Sequence, residues 1–564
     1  MTSSLVELRV LEGPNLYFPR AAIKLTLDVS VVMSTSAESA AQLAKRIGLA
    51  NARPGDPGSG FRQHFVARAT ARLVRQIAAE AGTHRLAVRV RPTADVHRIV
   101  VAYPWRHRGR AEALGQAVAG VLDDLATPDV DGLVSRMAKT VRIADPGCGP
   151  TTIKPSIPVV AVTGTNGKTT TSRMIAHIAR VSGLHVGWSS TDGIYADGEL
   201  VEAGDYSGPS GAGRVLAQPG IQLAVTETAR GGILLRGIGV RHNDVSVVTN
   251  VSADHLGLQG IDTLDQLAEV KAVVPHITKP TGWAVLNGDD PRVFAMRGFT
   301  HARCWVFSRD PESPSVREVL GEAGRATTVI DGWVCVLVPR SDPDPLVPVV
   351  DVPMTLAGLS HVNVENALAA ASAALGVGLS REAVVEGLLT FSPDPQHNPG
   401  RMNIYALAGV TVIVDLAHNT AGLDALVEVM SGLVRPGGRT MLALGTAGDR
   451  TDDVVRDLGE VGARGADVLV IVHKDRYLRG RSPAQLEAGY RAGAAAVGVT
   501  EVPAYDSELA GLEALVGRAG AGDVIAVMCH QDRAALDEWL GARGATVDSP
   551  DVVRDKVLLA RSGD

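Results

Sequence analysis

The chain has 564 residues, of which 45% are hydrophobic, 21% charged and 4% aromatic. This is the composition of a folded globular protein, and it excludes wholesale disorder. At about 150 residues per domain, the length predicts roughly three to four domains. The formal net charge of -6 excludes a bulk electrostatic attraction to nucleic acid or to an anionic membrane.

The cysteines and the N-terminus indicate the cellular compartment. The four cysteines lie far apart and form no CxxC pair, so we expect reduced thiols rather than a zinc ribbon or a disulfide framework. Residues 1–15 lack a basic segment followed by an apolar one, so we expect no signal peptide. The sequence also lacks an uninterrupted run of about 18 apolar residues. These features together predict a cytoplasmic protein with no membrane partner.

Residues 1–145 predict a small α+β domain. Alternating apolar and polar residues indicate strands, and apolar residues that recur at helical spacing indicate helices. The predicted elements are strands within 5–30, a helix over 62–82, strands over 86–92 and 97–105, and a helix from Ala111 to about Leu125. This part contains no obvious catalytic cluster, and its basic residues His64, Arg85 and Arg106 are expected to be solvated surface.

Two α/β domains are predicted after this first domain. A Pro/Gly-rich run over 145–158 predicts a linker, and a middle domain is expected over 155–397. There, short apolar strands alternate with helices, which is typical of a parallel sheet buried on both faces. A second break over 393–401 precedes another series of this kind. We therefore expect a smaller Rossmann-like domain over 398–564.

The strongest motif is the sequence VVAVTGTNGKTT over 159–170, which runs from an apolar strand into a helix. Glycines in such a P-loop let backbone N–H groups surround phosphate oxygens at the helix N-terminus. Lys168 can neutralise phosphate charge, and the Thr169 hydroxyl can bind Mg²⁺. The general pattern has glycine where this chain has Val162, so the loop is a shorter variant. Its predicted nucleotide-binding residues are Gly164, Thr165, Asn166, Gly167, Lys168, Thr169 and Thr170.

Three more residues fit a magnesium-dependent phosphoryl-transfer site. Glu227 ends one apolar strand and His255 follows the next, at the sheet edge where open α/β folds bind ligands. Lys271 lies on the helix after His255. Each residue alone has a structural alternative, because strand-end carboxylates often form caps or salt bridges and helix lysines are often solvated. Together with Lys168 they form the predicted catalytic set.

These motifs, over roughly 155–535, together resemble the Mur ligase superfamily of ATP-dependent amide-bond ligases. Within it, the likeness is greatest to the C-terminal ligase module of cyanophycin synthetases. Four strings carry this resemblance: STDGIY at 190–195, GDYSGP at 204–209, ETARGGIL at 227–234 and DHLGL at 254–258. Residues 5–130 also resemble the N-terminal domain of that family. The ATP-grasp ligase that lies between these two parts in the family is missing from this sequence.

The resemblance implies two Mg²⁺ ions and a role for each motif residue. Thr169 and Glu227 correspond to ligands of the first ion, and His255 and a carbamylated Lys271 correspond to ligands of the second. A carbamate fits because it supplies the anionic oxygens that an amine lacks. The further nucleotide contacts implied are Asn366, Arg401 and Asp415. The substrate-binding residues implied are Thr191, Asp192, Arg230, Arg450 and Arg479, the last with plain surface charge as its alternative.

By this resemblance, we expect an ATP-dependent ligase with a Mur ligase-like fold. A substrate carboxylate would attack the γ-phosphoryl group of ATP, and an amine or amino acid would capture the acyl phosphate, giving an amide, ADP and phosphate. Two protein partners stay open for this ligase: a separate ATP-grasp ligase and a second copy of the chain. Two alternatives stay open: a nucleotide-binding accessory protein that has lost ligation, and a peptidoglycan-precursor Mur ligase.

Overall fold

The computed structural model describes residues 4–49, 53–124 and 129–561. Three sheets follow one another along the chain, with strands drawn from 5–104, 159–348 and 403–547. The first is antiparallel and the other two have parallel centres, so the predicted α/β class with a small α+β region at the start is confirmed. The predicted helix end at Leu125 lies outside the described residues.

The first sheet has four antiparallel strands in the order β1-β2-β4-β3. Its elements and their helices are β1 (Leu5–Leu11), β2 (Ala22–Asp28), α1 (Ser30–Ser34), α2 (Ala37–Arg46), α3 (Gly60–Glu80), β3 (Arg89–Pro92), β4 (Arg98–Pro104), α4 (Arg108–Asp123) and α5 (Val130–Ile143). The predicted long helix is α3, and its regularly spaced Phe65, Leu73 and Ile77 are buried in the core of this sheet. Helix α5 was not expected from the sequence.

The middle sheet has eleven strands with helices between them. The elements are β5 (Val159–Thr163), α6 (Lys168–Val181), β6 (Val186–Ser189), β7 (Gly193–Ala196), β8 (Glu199–Ala203), α7 (Pro209–Leu216), β9 (Leu223–Glu227), α8 (Arg230–Leu235), β10 (Asn243–Val248), α9 (Leu264–Lys271), α10 (Val273–His276), β11 (Thr278–Asn287), α11 (Pro291–Ala295), β12 (Arg303–Phe307), α12 (Pro314–Gly321), β13 (Arg325–Ile330), β14 (Trp333–Leu337), β15 (Asp344–Pro348), α13 (His361–Val377) and α14 (Arg381–Thr390). The order is β15-β14-β13-β12-β11-β10-β5-β9-β6-β7-β8.

The centre of this sheet is parallel, as the sequence predicts, but both of its edges are antiparallel. The antiparallel pairs are β13 with β14, β14 with β15, β6 with β7, and β7 with β8. Asp-Gly turns with positive φ at both residues join two of these pairs, at Asp197 and Gly198 and at Asp331 and Gly332. Such two-residue turns match the twist of a β-hairpin. The parallel sheet that the sequence predicts is therefore the centre of this sheet, and antiparallel strands extend it at both edges.

The last sheet has a parallel centre of the Rossmann-like kind that the sequence predicts. Its elements are β16 (Asn403–Leu407), β17 (Val410–Asp415), α15 (Thr420–Leu433), β18 (Thr440–Leu444), α16 (Asp452–Gly465), β19 (Val468–Val472), α17 (Pro483–Ala496), β20 (Ala504–Tyr505), α18 (Glu508–Val516), β21 (Val524–Met528), α19 (Arg533–Ala542), β22 (Thr546–Val547) and α20 (Pro550–Arg561). The order is β20-β19-β18-β21-β17-β16-β22, in which β16 and β22 pair antiparallel. One apolar cluster is continuous between this sheet and the middle one.

A loop of the N-terminal region packs against the middle sheet region beside α8. The Glu12 N–H donates to the Arg236 carbonyl, and the Ile238 N–H donates to the Pro14 carbonyl, both at 2.7 Å. A Cβ on Gly13 would lie 1.9 Å from the Ile238 carbonyl oxygen, so this close approach requires glycine. None of the helices in the described parts of the chain has both the length and the apolar character of a membrane span.

Candidate functional site

The P-loop connects β5 to α6 at the centre of the middle sheet. Gly164 and Gly167 have φ values of 151° and 84°, and Gly167 is the residue that precedes the first turn of α6. A Cβ on Gly164 would lie 1.8 Å from the Thr249 hydroxyl, and one on Gly167 would lie 2.3 Å from Oδ1 of Asn366. The close neighbours therefore exclude any side chain at both positions. This leaves the backbone N–H groups at the start of α6 directed at the site, as phosphate binding needs.

Lys168, Thr169 and Glu227 meet because their strands β5 and β9 are adjacent. The Thr169 hydroxyl donates to Oε2 of Glu227 at 2.9 Å, and Lys168 Nζ donates to the Thr165 carbonyl at 2.8 Å. Nη2 of Arg401, from the C-terminal region, lies 3.3 Å from the Thr169 hydroxyl. Burial raises the pKa of Glu227, and the charges of Lys168 and Arg401 oppose that rise. The cluster thus joins one anionic and two cationic side chains at the strand ends.

Glu227 and Thr169 fit a magnesium site in one specific way. Oε1 of Glu227 is buried and has no hydrogen-bond partner among the described residues. An unpaired buried carboxylate oxygen is costly unless a cation occupies its free side. Carboxylate and hydroxyl oxygens are hard ligands of the kind that Mg²⁺ prefers. No group of three or more His, Cys, Asp or Glu side chains in the described ranges is placed to hold a metal ion.

His255 follows β10 and lies against Arg450, which comes from the loop after β18. Nη1 of Arg450 is 2.9 Å from Nδ1 of His255. Because an arginine only donates, the facing ring nitrogen must be an acceptor. Burial and the charge of Arg450 lower the pKa of His255 to about 4, against the opposing effect of Asp254. The ring is therefore neutral near neutral pH, as a metal-binding histidine must be.

Asp254 is the centre of a charged cluster that joins the middle and C-terminal regions. Its carboxylate lies 3.3 Å from Nη2 of Arg450 and 3.5 Å from Nε2 of His418. Burial alone would raise the pKa of Asp254, but His418, Arg450 and His255 hold it well below its usual range. Asp449 lies at the other side of His255, 3.6 Å from Nδ1. The cluster therefore contains more groups than the sequence motifs identified.

Lys271 is buried at the end of α9, so the solvated alternative for this lysine is wrong. Its Nζ donates to the Gly164 carbonyl of the P-loop at 2.6 Å. Burial, with a further contribution from the nearby charge of Lys168, lowers the pKa of Lys271 well below its ordinary value. A lowered pKa favours the neutral amine, which is the form that reacts with carbon dioxide.

Asn366, Arg401 and Asp415 line one narrow cleft next to Gly167. Asn366 accepts from the Thr171 hydroxyl at 3.1 Å, and Asp415 accepts from the Met402 N–H at 2.8 Å. Burial raises the pKa of Asp415, and Arg401 opposes that rise. The cleft is lined by side chains and backbone of both regions, including Asn166, Gly167, Thr170, Asn363, Asn366, Arg401, Asp415 and His418. The structure thus brings all three predicted nucleotide contacts beside the P-loop.

The predicted substrate residues divide between the cluster and its surroundings. Thr191 and Asp192 lie in the turn between β6 and β7, where Asp192 pairs with the buried Arg173 at 2.6 Å. Arg230 donates to the His255 carbonyl at 2.6 Å, so it supports that residue through the backbone. Arg450 is 4% exposed and lies inside the cluster.

Arg479 is half exposed and forms an ion pair with Asp449 at the edge of the cluster. It therefore has the exposure of a surface charge and also a direct partner in the site.

Two residues of the site have no role assigned from the sequence: Asp254 and His418. A third is Asn419, whose side-chain amide exchanges hydrogen bonds with that of Asn166 at 2.9 and 3.2 Å. All three lie three to six residues past the end of an apolar strand of the two sheets. That position beyond a strand end is the sequence signal that could have identified them.

Comparison with known proteins identifies the same two regions. The model of the Mur ligase middle domain matches residues 162–374, and the model of the Mur ligase glutamate ligase domain matches residues 400–530. The chain is 42% identical to the cyanophycin synthetase of Synechocystis sp. over 330 residues, which are 58% of this chain and 37% of that protein. It therefore spans little more than a third of the length of this relative.

More distant relatives are also found. The UDP-N-acetylmuramoyl-L-alanyl-D-glutamate--2,6-diaminopimelate ligase of Geobacter metallireducens is 29% identical over 56% of this chain and 60% of its own. A solved pseudomurein peptide ligase type C from Methanothermus fervidus is 20% identical, with a TM-score of 0.47 over 69% of this chain and 79% of its own. Because the two domain models together match more than half of the sequence, the chain belongs to the Mur ligase family.

Proposed function

We propose that this protein is an ATP-dependent ligase that joins a substrate carboxylate to an amine. The observation that carries the proposal is the convergence of Lys168, Thr169, Glu227 and Arg401 beside a cleft that both regions line. Phosphoryl transfer depends mainly on positioning and on stabilising charge, and these residues can do both. ATP would lie along the P-loop with Asn366 and Asp415 at its nucleoside end.

The chemistry follows from the placement of the cationic side chains. The substrate carboxylate attacks the γ-phosphoryl group, which breaks its bond to the β-phosphate and releases ADP. Lys168 and Arg401 lie where they can stabilise the negative charge on the transferred group. The amine then attacks the acyl carbon, and phosphate leaves with formation of the amide. The amine must lose a proton in this step, and Asp449, which lies 3.6 Å from Nδ1 of His255, is a carboxylate of the site that could accept it.

Magnesium is part of the proposal. Thr169 and Glu227 would hold one ion, and His255 with a carbamate on Lys271 would hold a second. Bound Mg²⁺ would neutralise phosphate charge. The buried, weakly basic amine of Lys271 can add carbon dioxide with loss of one proton, which converts a donor into an anionic ligand. Mass spectrometry of the intact chain in bicarbonate, against the Lys271→Arg variant, tests whether one carbon dioxide is bound.

The substrates of this ligase are proposed as two chemical classes, a carboxylate and an amine. The identity to cyanophycin synthetases favours an aspartyl, glutamyl or peptidyl carboxylate and an amino acid as the amine. A peptidoglycan precursor is the second candidate, favoured by the identity to the diaminopimelate ligase. The domain boundaries near 145, 155 and 398, a separate ATP-grasp partner and self-association stay predictions.

The test is a ligation assay with the full chain, ATP, Mg²⁺ and panels of acids and amines. We expect ADP and phosphate release that depends on one acid and amine pair, together with an amide product identified by its mass. The Lys168→Ala variant should lose this activity, whereas Lys154→Ala, on an exposed lysine before β5, should keep it. Nucleotide binding without any ligation, combined with normal cellular function of Lys168→Ala, would favour the accessory-protein alternative.

A further inference from the structure

A buried lysine fixes the hydrogen bonding of a histidine beside the site. Lys474 lies just after β19 and its side chain is 1% exposed. Its Nζ contacts three acceptors: Oε1 of Glu508 at 2.6 Å, Nδ1 of His530 at 2.7 Å and the Met528 carbonyl. An ammonium group has three N–H donors and no acceptor. The three contacts therefore use every donor of Lys474.

Glu508 keeps this lysine charged. Its side chain is fully buried and also accepts from the backbone N–H groups of His530, Gln531 and Asp532. Burial alone would raise the pKa of Glu508, but Lys474 and these backbone donors hold it below its usual value. An ionised Glu508 requires a cationic partner in so buried a place. Lys474 is therefore an ammonium donor to Nδ1 of His530.

The hydrogen bond from Lys474 determines the tautomer of His530. Because Nδ1 accepts, the single proton of the neutral ring must lie on Nε2. Nε2 is buried and has no hydrogen-bond partner among the described residues. Burial and the nearby charges of Lys474, His418 and Arg450 all keep the pKa of His530 well below its ordinary value. The result is a neutral N–H donor that is fixed in orientation and unpaired.

His530 follows β21, at the same strand ends as the site. Its ring lies 6.3 Å from that of His418, which contacts Asp254, and 6.4 Å from that of Tyr477. The charges that lower its pKa are those of Lys474, His418, Arg450 and Arg401, and the carboxylate next to it, Glu508, is already paired with Lys474. A donor in such surroundings is suited to an anionic oxygen. The nucleotide side of the site already has Lys168 and Arg401 for phosphate.

We propose that Nε2–H of His530 binds the carboxylate of the amine substrate, so that the protein selects an amino acid over a simple amine. Lys474 and Glu508 are positioning residues that hold the donor in place. This inference rests on the proposed ligase function and specifies the class of its second substrate. An unpaired buried donor is costly in the free protein, and a carboxylate oxygen would satisfy it on binding.

The first experiment compares amines that differ only in the carboxylate. The probes are L-arginine, L-lysine and L-glutamate, each with its α-carboxamide, given to the full chain with ATP, Mg²⁺ and the acid selected by the ligation assay. The native protein should prefer the free acids. His530→Leu should raise KM for the amino acid about 10- to 100-fold, because one hydrogen bond to a charged group is lost. It should also remove the preference for the free acid over its carboxamide. His530→Gln, which can keep an N–H donor, should retain part of it.

The second experiment reads the tautomer of His530 directly. In the native protein labelled with ¹⁵N-histidine, the His530 resonances should show a protonated Nε2 and an unprotonated Nδ1. Lys474→Met should give a mixture of tautomers without removing the ring.

The outcomes separate the two proposals. No ligation with any pair overturns the proposed function. Ligation with an unchanged preference in His530→Leu overturns this inference, as does a rise in KM for ATP alone, which would assign the donor to phosphate. If His530→Leu does not fold, three other measurements decide: the pairs of probes on the native protein, the tautomer of His530 and the His530→Gln variant. The inference is overturned if the native protein does not distinguish the free acids from their carboxamides, or if Nδ1 of His530 is protonated.

Discussion

Arg450 of the C-terminal region lies between Asp254 and His255 of the middle region, with Nη2 at 3.3 Å from Oδ1 of Asp254 and Nη1 at 2.9 Å from Nδ1 of His255. The guanidinium group is almost completely buried. A single side chain therefore connects the two halves of the site through two adjacent residues of the loop after β10. These contacts require the two regions to lie together as they do in this structure.

We expect Arg450→Ala to weaken both closure and activity. Its loss leaves the Asp254 carboxylate buried with fewer partners, a change that costs about 3–5 kcal/mol in buried pairs. The ligation rate should fall by roughly 100-fold or more. Steady-state kinetics with small-angle scattering of the variant measures both effects. The matched control is Arg456→Ala, an exposed arginine paired with Asp453 on α16. Equal activity of the two variants would contradict a role for Arg450 in the site.

The second prediction separates a steric contact from backbone strain at the P-loop. Gly167 and Gly183 have nearly equal φ values, 84° and 85°, but only Gly167 has a close neighbour, Asn366. Either change to alanine should cost about 1–2 kcal/mol because of the left-handed backbone, and Gly167→Ala should cost more because its Cβ would lie 2.3 Å from Oδ1 of Asn366. Gly167→Ala should also abolish nucleotide binding, whereas Gly183→Ala should leave it intact. Urea unfolding and isothermal titration with an ATP analogue measure the two effects.

The third prediction concerns the unpaired oxygen of Glu227. Glu227→Gln keeps the shape of the side chain and an acceptor for Thr169, but it removes the anionic charge. We expect the Mg²⁺ concentration needed for half-maximal activity to rise about 10- to 100-fold, with little change in folding stability. A Mg²⁺ titration of the ligation rate checks this. Glu202→Gln, on edge strand β8, should give the native titration curve.

The fourth prediction is a pH dependence of stability. Burial, with the charges of His397 and Arg180, lowers the pKa of His177 to about 4, and that of His255 is lowered to about 4 as well. Both are below the ordinary value of 6.5. Between about pH 4 and pH 6.5, the unfolded chain therefore binds more protons than the folded chain. The free energy of unfolding should rise with pH across this interval and then level off.

Denaturant unfolding at a series of pH values measures this dependence. His177→Asn should flatten the curve between these two pH values, while His84→Asn, on an exposed histidine, should not. A His177→Asn curve identical to that of the native protein would rule out a contribution from this side chain.

The sequence predicted the fold where one local pattern determines the structure. Apolar runs such as 159–163 and 223–227 became central strands because a strand buried on both faces must be apolar throughout. The antiparallel edges were missed because strand β8 is mostly exposed and lacks such a run. The Asp-Gly pairs at Asp197 and Asp331 carried the missing information.

The site was predictable only as far as neighbouring strands place it. Lys168 and Glu227 come together because β5 and β9 pair directly in the sheet. The contact of Asp254 with Arg450 joins residues almost two hundred positions apart in different sheets, and no spacing in the sequence specifies it. The same holds for Lys474, since a lysine is rarely fully buried and nothing next to it in sequence indicates Glu508 as its partner.

The fit of Gly13 against Ile238 has a consequence for exchanging parts between relatives. The two segments share backbone hydrogen bonds, and neither has space for an added side chain, since a Cβ on Gly237 would also lie 2.8 Å from the Gly13 carbonyl oxygen. A chimaera that replaces only the N-terminal region would therefore join two surfaces that do not fit each other. Residues 12–14 and 236–238 would have to be exchanged together in such a chimaera.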